Sequence, residues 1–311
     1  VSDALPFFSV VVPTYRRPGH LARCLGALAR VDYPADRWEV VVADDGSPEP
    51  VDVAVARGRV PVALTVVRQA NAGPAAARNA GAARARGDYL AFTDDDCAPE
   101  PGWLRALAAR AAAHPGALVG GGVVNALPDN PYSAASELLI AYLHHYYARG
   151  TDSGRFFPTN NLAVPAGEFR RLGGYDTRFR RAAAEDREFC DRWTAAGGAL
   201  VYAPEAAVRH AHRLSLRRFV RQHAQYGRGA PYYHQVRAAR GAPGIPAEPL
   251  AFYGGLLRFP RASAARRPAR AAALLALSQG AYAAGFAWEL LQLRLRSPRP
   301  RPTAPAAPVA P

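Results

Sequence analysis

The apolar positions of this chain change period several times, and the changes mark its elements. Phe7-Phe8-Ser9-Val10-Val11-Val12 is short, β-branched and closed by Pro13, which predicts a strand buried within a parallel sheet. Between Gly19 and Arg30 the residues Leu21, Cys24, Leu25 and Leu28 recur at helical spacing. Trp38-Glu39-Val40-Val41-Val42-Ala43 predicts a second strand and Ala63-Leu64-Thr65-Val66-Val67 a third. An Ala-rich helix over 74–86 leads into a fourth strand, Tyr89-Leu90-Ala91-Phe92. Strand and helix alternate, which argues for an α/β domain. Past residue 115 the pattern loosens: a strand at Val119–Val124 through Gly120-Gly121-Gly122, a helix over 133–147, and another over Arg187–Ala196 stopped by Gly197-Gly198.

Each of the first four strands runs into polar residues: Thr14-Tyr15-Arg16-Arg17, Asp44-Asp45, Arg68-Gln69-Ala70-Asn71 and Asp94-Asp95-Asp96. Open α/β sheets bind ligands beyond the carboxyl ends of their strands, so four such clusters on one edge describe a site. Three adjacent carboxylates repel one another, and a divalent cation, Mg²⁺ or Mn²⁺, resolves the conflict. If the triplet continues the strand, Asp94 and Asp96 share a face and approach one ion together. A helix N-cap before Pro99-Glu100-Pro101 is the alternative. Asp44-Asp45-Gly46-Ser47 reads equally as a turn or as a carboxylate presented to a nucleotide base. Glu185-Asp186 opens a helix, where acids cap free N–H groups; a carboxylate base is the other reading.

Charge adds a second division. Residues 1–205 carry 22 Arg against 23 acids, whereas 206–311 carry 17 Arg against 2. The chain has no Lys, which excludes a P-loop lysine and a Schiff-base lysine. Cys24, Cys97 and Cys190 lie far apart, with no zinc or disulfide spacing. The segment VSDALPFFSVVVP lacks the basic start and cleavage site of a secretory signal. Both features lead to the expectation of a cytoplasmic protein.

Taken together, VVVPTYRRPGHLARCL at 10–25, VVADDGS at 41–47, NAGPAAARNAG at 71–81, GDYLAFTDDDCAP at 87–99, TNNLAV at 159–164, GGYD at 173–176 and AEDREFCDRWTAAG at 184–197 resemble a family 2 glycosyltransferase. The resemblance covers roughly residues 7–230 and implies a GT-A fold, a Rossmann-like, mostly parallel sheet flanked by helices. It implies an inverting, metal-dependent transfer from a nucleotide-diphospho-sugar, most commonly UDP-linked, to a glycan or lipid-linked acceptor. Pro13, Thr14, Tyr15 and Arg17 would line the nucleotide pocket, Asp45 would hold the base, and Asn71 and Arg78 would lie near ribose and phosphate. Asp94 and Asp96 would grip metal and nucleotide, with Asp95 between them and His210 as a further metal ligand. Asp186 would be the catalytic base with Glu185 beside it, and Asn160 and Asn161 would meet sugar hydroxyls. Gln222, Tyr226 and Arg228 fall near the place where processive relatives carry Gln-x-x-Arg-Trp over the acceptor; here the element departs from that pattern, and a solvated amphipathic helix fits it equally.

On this reading residues 1–215 form the catalytic domain, its nucleotide-sugar half about 1–100 and its acceptor half about 101–215. Residues 216–296 form a basic helical extension, and 297–311 a Pro-rich disordered tail. Ala271 to Trp288 has no formal charge, and Leu275, Tyr282, Phe286, Leu290 and Leu293 share one helical face. Docking on the cytoplasmic membrane surface, packing on the catalytic domain and spanning the bilayer are the three readings of that segment. Two rival functions are a nucleotidyltransferase and a nucleic-acid-binding protein. The missing lysine weighs against the first, and the absence of any RRM, KH or zinc module against the second, so no nucleic-acid partner is expected.

Overall fold

A computed structural model describes residues 5–148, 156–179 and 183–296. The predicted tail at 297–311 lies outside the described residues. Its elements run β1 (Phe8–Thr14), α1 (Pro18–Leu28), β2 (Trp38–Asp44), α2 (Val53–Arg57), β3 (Leu64–Arg68), α3 (Pro74–Arg84), β4 (Tyr89–Thr93), β5 (Cys97–Pro99), α4 (Trp103–Ala113), β6 (Leu118–Asn125), α5 (Pro131–Ala148), β7 (Asn161–Pro165), α6 (Ala166–Arg171), α7 (Glu185–Ala195), β8 (Leu200–His210), α8 (Leu216–Ala239), α9 (Leu250–Ala262) and α10 (Pro268–Arg296).

All eight strands form one sheet in the order β3-β2-β1-β4-β7-β6-β8-β5. The pairs β1–β2, β1–β4, β2–β3 and β6–β8 are parallel, and β7 joins β4 to β6 antiparallel to both. This is the α/β architecture expected from the pattern, flanked by helices and extended by a helical C-terminal region. β1 is central, with no exposed residue along its length, as its unbroken Val run requires. Pro13 is tolerated inside it because β4 pairs only as far as Val11, so the missing N–H falls beyond that ladder.

The chain goes outward from β1 through β2 to β3 and then returns to place β4 on the other side of β1. That reversal is a topological switch point, where α/β sheets open a crevice at their carboxyl edge. Thr14, Asp44, Arg68 and Thr93 end the four parallel strands on this edge. At the far side, β6 presses on its surroundings. A Cβ on Gly121 would collide with the Asn161 amide and the Ala206 carbonyl, so glycine permits that close approach.

Two apolar layers sandwich the sheet. One joins α1 and α4 to the Val positions of β1 and β2. The other joins Val11, Phe92, Tyr175 and Phe189 to Phe252, Leu256 and Leu275. The C-terminal helices therefore share a core with the sheet, and Tyr142 Oη donates to the Phe252 carbonyl at 2.6 Å across α5 and α9. Among the described residues no helix is long and apolar enough to cross a membrane, which removes the spanning reading of α10. The face of α10 picked out by periodicity turns inward: Leu275 is fully buried, and Tyr282 and Phe286 are half-buried.

Candidate active site

The switch-point crevice is built around the acid triplet. β4 ends at Thr93, and the chain turns at once, Cys97 N–H donating to the Asp94 carbonyl at 3.0 Å. Asp94 and Asp96 therefore do not share a strand face, because the triplet is a turn and not a strand. Asp94 Oδ1 faces away to the Arg78 guanidinium at 2.7 Å, whereas Asp96 Oδ1 lies 3.3 Å from His210 Nε2. The helix-cap alternative also fails, since the next helix, α4, is preceded by Gly102.

Asp95 fastens the crevice. Its Oδ2 accepts the Thr14 hydroxyl at 2.7 Å, and its Oδ1 accepts Arg17 Nη1 at 3.0 Å. The same Arg17 nitrogen reaches Asp96 Oδ2 at 3.0 Å. The end of β1 is thereby tied to the turn after β4 across the switch point. Burial pushes the Asp95 carboxyl up to about 6, against the opposing pull of Arg17 and Thr14. Asp96 moves the other way: burial would raise it, but the hydrogen bond and charge of His210 hold it below the ordinary carboxylate range.

Two sets of side chains here bring ligand atoms within 4.8 Å of one another, Asp96 with Cys97 and His210, and His20 with Asp95 and Asp96. The donor chemistry fits a hard or borderline divalent cation on carboxylate oxygen and imidazole nitrogen. Cys97 Sγ is the soft donor of the first set and the one least suited to such an ion. His20 escaped the sequence reading, although it sits on the first turn of α1, three residues after Arg17.

Arg78 links this cluster to α7. Its guanidinium is buried, donating to Asp94 Oδ1 and, through Nη1, to Glu185 Oε1 at 3.2 Å. Tyr175 lies under it, with 5.9 Å from ring centre to guanidinium carbon. Asn79 sets that tyrosine, accepting its N–H at 2.9 Å and donating to its carbonyl at 2.8 Å. Burial and the adjacent Asp186 carboxylate push Glu185 up to about 7, with Arg78 opposing. Asp186 also rises, chiefly by burial. Its Oδ1 accepts the Arg187 N–H at 2.8 Å, and Asp186 makes no ion pair among the described residues. Ala184 precedes the pair at φ 71°, a left-handed conformation that costs a non-glycine residue about 1 kcal/mol or more. It provides no side-chain cap, so α7 begins on acids rather than on a capping hydroxyl.

Several expected contacts take a different form. Asp45 accepts four hydrogen bonds from its own surroundings: Gln69 Nε2 (2.7 Å) and Ala72 N–H (2.9 Å) on Oδ1, Asn71 Nδ2 (3.0 Å) and Gly73 N–H (2.9 Å) on Oδ2. A carboxylate has about four lone-pair sites, so none remains for a base, and Asp45 shapes the loop instead. Gln69 is the partner the motif reading did not single out. Asn161 is fully buried; its amide donates to the Gly122 and Ala206 carbonyls and accepts Trp103 Nε1. It is saturated and cannot meet a sugar. Arg228 pairs with Glu289 at 2.8 Å, bracing α8 on α10 rather than facing a ligand. Gln222 donates to the Tyr226 hydroxyl at 2.8 Å, and Tyr226 is 38 % exposed. Pro13 is half-buried, Tyr15 exposed, and Asn160 half-buried beside the end of β4. Buried polar atoms without a partner include Arg78 Nε, Thr93 Oγ1, Asn160 Oδ1 and Tyr175 Oη, all on residues around this crevice.

Comparison with known proteins identifies the arrangement. The profile described as glycosyl transferase family 2 matches residues 9–171. The chain is 31% identical over 259 residues to validoxylamine A glucosyltransferase of Streptomyces hygroscopicus subsp. jinggangensis, covering 70% of this chain and 61% of that one. It is 30% identical over 226 residues to pre-mycofactocin glycosyltransferase of Mycobacterium tuberculosis, covering 71% and 46%. The chain thus spans about half to three-fifths of the length of these relatives. Its fold is shared with a mannosyltransferase from Pyrobaculum calidifontis solved with GDP-Man and Mn²⁺, at TM-score 0.58 and 22% identity over 94% of this chain and 86% of that one. It is shared too with GalNAc-T7 solved with UDP, GalNAc and Mn²⁺, at TM-score 0.56 and 17% identity over 94% and 57%. By the matched profile and the two relatives, this chain belongs to glycosyl transferase family 2.

Proposed function

We propose that the chain transfers a sugar, with inversion, from a nucleotide-diphospho-sugar to an acceptor hydroxyl, with Asp186 as the base. The single observation that carries this reading is the state of that carboxylate. It is raised above the ordinary range by burial against the weaker pull of Arg187 and Arg78, makes no ion pair among the described residues, and adjoins the Arg78 bridge to the acid triplet. A hydroxyl is a weak nucleophile, and a positioned carboxylate of raised pKa removes its proton in the transition state. Glu185 is not free for that task, since its oxygens hold Arg78 and the Ala183 N–H.

The donor nucleotide lies along Pro13, Thr14, Tyr15 and Arg17, with Asp45 and Asn71 shaping the loop over which its base, uracil by preference, rests. Asp96 and His210 hold a divalent cation, Mn²⁺ or Mg²⁺. When bound, that cation neutralises the charge gathering on the departing diphosphate. Arg17 adds positive charge beside it and fixes the carboxylates. Asn160 faces the sugar, and Tyr226 with Gln222 flanks the acceptor. The acceptor is a glycan or lipid-linked hydroxyl reached from the cytoplasmic face of a membrane on which the protein docks peripherally. Incubation with UDP-, GDP- and dTDP-sugars and Mn²⁺ tests the reaction class. Free nucleoside diphosphate supports it; pyrophosphate release identifies a nucleotidyltransferase and overturns it.

A further inference from the structure

The outward side of α10 has no polar residue for five turns. Ala273, Ala276, Leu277, Gly280, Ala283, Ala284, Ala287, Trp288 and Leu291 are all exposed. At 3.6 residues per turn they fall in a stripe about 140° wide and about 27 Å long. The polar residues of the same stretch are turned in or to the edge: Ser278 is fully buried, and Gln279 and Glu289 are half-buried. A helix packed against water has the opposite arrangement. Packing accounts for the inner side only. A Cβ on Gly227 would strike the Tyr282 carbonyl and one on Gly285 the Ala224 carbonyl, so α8 and α10 touch backbone to backbone, clamped by Arg228–Glu289.

Charge selects what covers the outer side. Arg258 and Arg261 end α9, Arg267 precedes α10 and Arg270 lies in its first turn, and Arg294 stands at its far end; all five are exposed and make no ion pair among the described residues. From Leu250 to Arg294 the sole acid is Glu289, which Arg228 occupies. A second copy laid on this face would meet arginine with arginine, whether the helices ran parallel or antiparallel. An anionic lipid surface offers acyl chains to the stripe and negative headgroups to both ends. We propose that the outward face of α10, from Ala273 to Leu291, is the docking surface for anionic phospholipid, with the helix lying in the membrane plane. This rests on the peripheral reading above and assigns it a surface. Because α10 lies along α8, it would bring Tyr226 and the neighbouring Asp186 to a membrane-borne acceptor.

The chain carries its own reporter. Trp38, Trp103 and Trp193 are at most 2 % exposed, whereas Trp288 is 54 % exposed. The full chain is titrated with phosphatidylcholine vesicles containing or lacking phosphatidylglycerol, with brominated acyl chains, and binding is read by sedimentation and tryptophan emission. The expected result is a blue shift and quenching on anionic vesicles, at least tenfold weaker without phosphatidylglycerol. Trp288→Phe should abolish the spectral change while sedimentation persists. Leu277→Asp/Leu291→Asp should weaken sedimentation at least tenfold with an unchanged nucleoside-diphosphate thermal shift. Should that variant fail to fold, Arg267→Glu/Arg270→Glu, which lies off the core, should show at least a tenfold loss. Undiminished sedimentation of the folded Asp variant overturns this face and leaves membrane docking standing. No vesicle binding by the wild type at any composition overturns both, and a dimer abolished by the same substitutions assigns the face to a second copy.

Discussion

Replacing Arg78 with Met gives a pH signature that follows from the buried bridge. In the wild type Glu185 titrates near 7 against about 4.5 when unfolded. Its folded form holds a proton that the unfolded chain has lost between those values, so this group's contribution to stability falls by about 1.4 kcal/mol per pH unit from 4.5 to 7 and is then flat. Without the guanidinium at 3.2 Å, only backbone N–H groups, the Ala183 N–H among them, oppose burial and the neighbouring Asp186, and Glu185 keeps its proton to higher pH. The fall then continues. Below pH 6 Glu185 is neutral in both proteins, and the variant loses only the partly exposed Asp94 contact and a neutral hydrogen bond, about 1 kcal/mol. The difference should therefore be about 1 kcal/mol at pH 6 and grow by about 1.4 kcal/mol per unit above 7, reaching about 2–3 kcal/mol at pH 8. Urea unfolding followed by tryptophan emission at half-unit steps measures it. A difference that is constant from pH 6 to 9, or that shrinks as pH rises, refutes the claim that Arg78 holds the ionised form of Glu185.

Other consequences are simpler to state. Asn161→Leu strands the Gly122 and Ala206 carbonyls and Trp103 Nε1, so it should cost about 3 kcal/mol or more by thermal unfolding; normal stability with lost activity would restore Asn161 as a ligand contact. Asp96→Asn should lower Mn²⁺ affinity by tenfold or more in calorimetric titration while the fold is kept, and His210→Ala should do likewise; unchanged affinity would remove them from the cation site. Gly285→Leu should separate α10 from α8 and lower the melting temperature by several degrees, read by circular dichroism. Turnover should decline on the acid side with an apparent pKa above the usual aspartate range, since the Glu185–Asp186 pair titrates as a unit and both are raised; a decline confined below pH 4 would contradict this.

What could be read from the chain depended on how strongly each segment declares its period. The Val runs of β1 and β2 and their polar ends are unambiguous, and they place the crevice. β8 is not legible in the same way, because its pairing with β6 shifts register between Gly121 and Gly122 and Pro204 interrupts its alternation. The triplet Asp94-Asp95-Asp96 was visible as chemistry, but its geometry was not: whether the strand stops at Thr93 decides which carboxylate meets Arg78 and which meets His210. Saturation is similarly invisible in sequence. Nothing local distinguishes Asp45, engaged by four donors, from a carboxylate with a free oxygen, or Asn160 from its buried neighbour Asn161. On α10 the larger side chains at Leu275, Tyr282 and Phe286 mark the packed face, while the Ala-rich outer face is nearly silent until the structure exposes it.

The proposed reaction depends on the Asp186 carboxylate taking the acceptor proton. Single-turnover release of nucleoside diphosphate by Asp186→Asn, with donor binding followed separately by thermal shift, tests it most directly. Turnover should drop by about 10²–10⁴-fold, the range for a lost general base, with donor and cation binding kept within about twofold. Turnover within a few-fold of the wild type would contradict it.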